Sequence, residues 1–86
     1  MNQIHEIQSI NFTEQEMILI VDNKTYHFPL AKVSKKLAQA SEMEKKLYKI
    51  SPSGYGIHWL LLDEDLSIDG LIKLAENLSI TNNNLK

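Results

Sequence analysis

Hydrophobic and polar positions along the chain divide it into a strand-rich start, a short-helix middle and a strand-plus-helix end. In Ile4–Phe12 the apolar residues Ile4, Ile10 and Phe12 share one parity, the signature of a half-buried strand. Met17-Ile18-Leu19-Ile20-Val21 is apolar on both parities and rich in β-branched residues, which predicts a central strand. Asp22-Asn23-Lys24 has turn chemistry, with Asn23 suited to a left-handed backbone. Thr25-Tyr26-His27-Phe28 then returns as a third strand. Pro29 ends it, because proline has no N–H to give to a ladder.

The period then changes. Leu30, Val33 and Leu37 recur at helical spacing with Lys32, Lys35 and Lys36 between them, predicting one short amphipathic helix. Ser41-Glu42-Met43-Glu44 has the form of a capping box, so a second short helix is expected there, carrying Met43 and Leu47 inward. Tyr48–Ser51 reads as a strand and Ser51-Pro52-Ser53-Gly54 as a turn. Tyr55, Ile57 and Trp59 are expected on one face of the next strand, with Gly56 and His58 on the other. Gly56 inside a strand marks a bulge or a close backbone approach. Asp63-Glu64-Asp65 is expected as an acidic loop. Ser67 caps a final helix whose stripe is Leu71, Leu74, Ala75 and Leu78, and Trp59 is expected to be largely buried or half-buried against that helix through Leu71 and Leu74. The expectation is thus a single α+β domain over 1–80, a small antiparallel sheet with helices packed on one face in the order β-β-β-α-α-β-β-α. A disordered tail is expected over 81–86.

Size and composition narrow the possibilities. At 86 residues the core is thin. There is no cysteine, which removes disulfides, thiolate nucleophiles and cysteine metal sites and fits a reducing cytoplasm. The longest apolar run, Met17–Val21, is far too short to span a bilayer, and the first residues lack a secretory n-region and h-region, so a cytoplasmic location is expected. The net charge of −2 hides a sign change: residues 22–49 carry seven lysines against Asp22, Glu42 and Glu44, while both flanks are acidic. The chain has no arginine, the residue suited to bidentate phosphate or guanine recognition, which argues against base readout by the basic middle.

Pro29-Leu30 ahead of a lysine-rich helix, Ile50-Ser51-Pro52-Ser53-Gly54-Tyr55-Gly56-Ile57-His58-Trp59, and Asp63-Glu64-Asp65-Leu66-Ser67-Ile68-Asp69-Gly70-Leu71 together resemble the bacterial family catalogued as domain of unknown function 2442. The resemblance extends over about Ile4–Leu74, with Leu60 where that family usually has proline. It implies a small α+β fold of a kind also found fused to a helix-turn-helix domain. It also implies a gene paired with another small protein in an arrangement like a toxin–antitoxin pair. It supplies no catalytic residues.

Chemistry is sparse. His58 beside Trp59, near Asp63 and Asp65, is the one candidate acid–base or metal group, and a single histidine with loop acids is more simply structural. Asp63, Asp65, Ser67 and Asp69 start like a calcium loop, but Ile68 stands where glycine is required and Leu74 where glutamate is required. Gly54-Tyr55-Gly56 lacks the rest of a phosphate cradle, and Ser51 and Ser53 lack a base at readable spacing. No enzyme, cofactor or metal is therefore expected. The expected function is a protein-interaction module, the antitoxin or modulator of a small protein partner, with Tyr55, His58, Asp63, Glu64 and Asp65 as binding residues. The alternative is a nucleic-acid-associated regulator using Lys32–Lys49. No membrane partner is expected.

Overall fold

The computed structural model describes residues 5–84, with side chains as far as Leu78. Six strands and four helices follow one another: β1 (Ile7–Phe12), β2 (Glu16–Val21), β3 (Lys24–Pro29), α1 (Leu30–Val33), α2 (Lys35–Ala38), α3 (Glu42–Lys46), β4 (Tyr48–Ile50), β5 (Gly56–Trp59), β6 (Glu64–Ser67) and α4 (Ile68–Asn84). The α+β class, the antiparallel pairing and the approximate order match the expectation. The strands form two three-stranded sheets, β1-β2-β3 and β4-β5-β6, instead of one.

The doubly apolar β2 is the centre of the first sheet, as its composition predicts. Met17, Leu19 and Val21 are buried, while Ile18 and Ile20 on the other parity are half-buried. Its hairpin to β3 closes through Asp22 and Asn23, both at positive φ (52° and 66°), the two-residue turn whose twist matches paired strands. Gln8 brackets that turn: its side-chain carbonyl accepts from the Asn23 amide (2.8 Å) and its NH2 donates to the Asn23 side chain (2.9 Å).

The predicted Leu30–Leu37 helix is two four-residue helices broken at Ser34, whose backbone is extended (φ −167°). The break has a local cause. Ser34 Oγ accepts the Leu37 N–H (3.2 Å), capping a new helix instead of continuing the old one. Leu30 and Leu37 are still buried. The capping box at Ser41 and Glu44 forms as expected, with both reciprocal bonds present. The inward face of α3 does not: Met43 is 68% exposed and Leu47 42%, while Lys45 is buried. The Trp59 indole N–H donates to the Lys45 carbonyl (3.0 Å), and the Lys45 ammonium lies 5.7 Å from the centre of the Phe12 ring. A short helix pinned at that carbonyl turns its lysine stem, not Met43, to the core.

Trp59 is fully buried, as expected. Its ring neighbours are Phe12 of the first sheet, edge-on at 6.5 Å, and Tyr48 of the second at 6.1 Å, so it fills the junction of the two sheets. Leu71 of the final helix lies in the same buried core as Trp59, and Leu74 packs against that core. The core is completed by Phe28 from β3, Ile57 from β5, and Ile68 and Leu71 from α4, which lies along β3 and β6. Ser67 caps α4 by accepting the Gly70 N–H (2.9 Å). The helix is assigned as far as Asn84. The tail expected over 81–86 falls on side chains, and for 85–86 on positions, outside the described residues.

Candidate functional site

The acidic segment is not a loop. Glu64–Ser67 is the third strand of the second sheet, in register with β5 through Trp59–Glu64, His58–Asp65, Ile57–Leu66 and Gly56–Ser67. Leu66 supplies the inward position opposite Ile57, so a polar-looking stretch still satisfies strand alternation. A Cβ at Gly56 would meet the Leu66 carbonyl at 3.0 Å, which is the close backbone approach its glycine implies. Tyr55 is not on the buried face with Ile57 and Trp59. It precedes β5 with αR backbone (φ −74°, ψ −38°) and is 63% exposed. The turn before it needs positive φ at Ser53 (71°) and Gly54 (64°), which swings Tyr55 outward.

The outer face of this sheet carries a cross-strand row, Lys49–His58–Asp65. His58 Nδ1 and Asp65 Oδ1 are 2.8 Å apart. The row borders an open depression of about 500 Å³, lined also by Ser51, Tyr55 and Ser67. Both hydroxyls are held in place by the backbone: Ser51 Oγ accepts the Gly56 N–H (2.8 Å) and Ser67 Oγ the Gly70 N–H. The face offers a cation, a histidine–carboxylate pair, an aromatic ring and fixed hydroxyls. That set can recognise a partner. Among the described residues both serine hydroxyls are bonded to backbone N–H groups and not to His58.

Of the residues singled out in the sequence, Tyr55, His58 and Asp65 come together here. Asp63 and Glu64 do not. Asp63 occupies the turn before β6 at φ 50°, with its carbonyl accepting from Lys36 Nζ (3.3 Å). Glu64 points to the core side and accepts the Ser34 hydroxyl proton, which ties β6 to the break between α1 and α2. Three consecutive acids thus serve three directions. Lys49, Ser51 and Ser67 are not among the binding residues expected from the sequence; counting register outward from the Ser51–Gly54 turn places Lys49 opposite His58.

A second cluster lies elsewhere. His5 has both ring nitrogens on carboxylates, Nδ1 with Asp22 Oδ2 and Nε2 with Asp69 Oδ1, each at 2.8 Å, and its side chain is 8% exposed. Neutral imidazole has one N–H, so two such bonds require the doubly protonated ring. The hydrogen bonds to Asp22 and then Asp69 raise the His5 pKa above its ordinary 6.5, against the opposing effect of desolvation. The Glu6 N–H (2.8 Å) and then His5 hold the Asp22 carboxyl below its ordinary range. The site is a clasp joining the segment just before β1, the β2–β3 turn and the start of α4. Its carboxylates diverge to opposite sides of one ring, so it presents no shared pocket for a cation.

Every exposed large apolar residue among those described falls between positions 43 and 61: Met43, Leu47, Ile50, Tyr55, Leu60 and Leu61. They belong to α3, the β4–β5 hairpin and its ends, so this one segment of the chain carries the exposed large apolar side chains. The lysine-rich middle is less uniform than its sequence, since Lys45 is buried and Lys36 is turned to Asp63. No helix among the described residues is long and apolar enough to cross a membrane.

The family model described as protein of unknown function, DUF2442, matches residues 7–77. The chain is also similar to the crystal structure of a protein of unknown function from Rhodospirillum rubrum ATCC 11170. The two are 29% identical, with a TM-score of 0.65 over 84% of this chain and 88% of that one. No curated protein matches the chain.

Proposed function

The chain belongs to the DUF2442 family, and from that premise we propose that it is a non-enzymatic protein-interaction module, acting as the antitoxin or modulator of a small partner protein. The observation that carries this reading is the second sheet, whose outer face sets exposed Tyr55 beside the Lys49–His58–Asp65 row around an open depression. An exposed aromatic ring beside a row of charged and polar side chains is the mixed surface that a protein partner can use. Tyrosine is a frequent anchor of such surfaces, and the charged row sets orientation and association rate.

The test is capture from the native host with the wild-type chain and with Tyr55→Ala/His58→Ala, followed by mass spectrometry and a melting curve for each. A protein retained by the wild type and lost by the variant, with melting unchanged, supports the reading. Equal capture by both overturns this surface. Retention of DNA instead, falling steeply with salt as phosphate contacts do, would favour a nucleic-acid role for the lysines.

A further inference from the structure

We infer that the free edge of β4 is a docking site for an extended segment of a partner protein, whose residue opposite Lys49 is acidic and whose flanking residues are apolar. This rests on the protein-binding reading above and names the chemistry of the partner.

The hydrogen bonds from Ser51 N–H to the Gly56 carbonyl (2.9 Å) and from Leu60 N–H to the Leu47 carbonyl (3.0 Å) set the parity of the hairpin. Lys49 therefore turns its backbone groups toward His58 of β5, and Tyr48 and Ile50 turn theirs outward. β4 is an edge strand, and these outward groups have no hydrogen-bond partner among the described residues. They are the template that an added strand pairs with. Ile50 points the same way. It lies opposite buried Ile57, on the core side of the sheet, yet is 42% exposed because no strand lies beyond it.

The edges of the first sheet are less open, and β6, the other edge of the second sheet, leads straight into α4, which lies against it. β1 is interrupted by an irregularity between Ile7 and Ser9, a feature that blunts pairing, and β3 ends in proline with α1 and α4 against it.

The charge pattern selects the occupant. Lys49 stands midway along the three-residue edge and forms no ion pair among the described residues. An acid opposite it would extend the row to acid–Lys49–His58–Asp65 and set an opposite charge on the open side of Lys49. Apolar residues on either side of that acid would point to the core side and cover Ile50 and Tyr48. A second copy fits poorly. Antiparallel self-pairing with Tyr48 opposite Ile50 sets Lys49 against its own copy, and like charges directly opposite destabilise a pair. An edge this short suits a transient complex.

The experiment uses the full chain and two blocked peptides with the extended cores Thr-Val-Asp-Val-Thr and Thr-Val-Lys-Val-Thr, followed by amide NMR. The aspartate peptide should bind about three- to tenfold more tightly than the lysine peptide. It should slow hydrogen exchange at the Tyr48 and Ile50 amides. Lys49→Glu should reverse the preference. Equal binding of the two peptides, protection elsewhere, no binding at about 1 mM, or protection that grows with protein concentration alone would overturn the inference. If a captured host protein depends on Tyr55 and His58 but is indifferent to Lys49→Glu, the edge inference fails while the protein-binding reading stands. If the peptides behave as stated and host capture does not depend on Tyr55 and His58, the edge inference stands while the Tyr55–His58 surface fails.

Discussion

His5 shows how one side chain can join three distant parts of a small domain. Its ring bridges Asp22 at the β2–β3 turn and Asp69 in the first turn of α4, and its backbone N–H donates to the Ser53 carbonyl (2.9 Å). Beside it a Cβ on Gly54 would meet the His5 carbonyl at 2.0 Å, so the turn packs against this segment without room for a side chain. The clasp makes stability depend on pH in a direction that follows from the shifts. A raised histidine pKa contributes stability fully present below about 6.5 and lost as pH rises through the folded value. A lowered Asp22 pKa contributes stability present above about 3.8 and lost as pH falls through its folded value. The clasp therefore contributes most between those limits. Urea unfolding across pH should show His5→Asn removing the decline above pH 6.5, because the half-exposed carboxylates of Asp22 and Asp69 hydrate without it. An unchanged slope in the variant would mean that another group titrates.

At the scale of elements, Ser34 has two roles in one hydroxyl. It caps α2 by accepting from Leu37 and donates its proton to Glu64 of β6, so the helix break and the third strand of the second sheet depend on each other. Ser34→Ala should cost about 1–3 kcal/mol, from the lost cap and a part-buried carboxylate left without its donor. Adding Glu64→Ala should cost less than the sum of the single changes, since both remove the same bond. Additivity within about 0.5 kcal/mol would show that the pair is uncoupled. Ser41, by contrast, makes its capping box within α3 alone, and this is why its pattern could be read locally while that of Ser34 could not.

Across the whole molecule, Trp59 couples the two sheets. It meets Phe12 of one sheet and Tyr48 of the other, and its indole N–H holds α3 through the Lys45 carbonyl. Trp59→Ala should cost about 3–5 kcal/mol, a large share of the stability of a domain this size. Trp59→Phe should keep the ring contacts and lose the hydrogen bond, at about 1–3 kcal/mol. Chemical denaturation monitored by far-ultraviolet circular dichroism checks both; an alanine variant as stable as the wild type would mean that the junction is held elsewhere.

By itself the sequence determined those features whose cause lies within a few residues. The β2–β3 turn at Asp22 and Asn23, the Ser41 and Ser67 caps, the doubly apolar β2, the buried Trp59 and the α+β class were all legible, because backbone conformation and burial there follow from local residue chemistry. The proposed binding residues come together only in part. Tyr55, His58 and Asp65 share a face, while Glu64 is drawn to Ser34 across thirty residues of chain and Asp63 stays in a turn. Tertiary structure alone decided the split into two sheets, the recruitment of the acidic segment as β6, the burial of Lys45 in place of Met43, and the His5 clasp. Each of these depends on which distant group sits opposite, and a long-range partner leaves no periodic trace in the residues it selects.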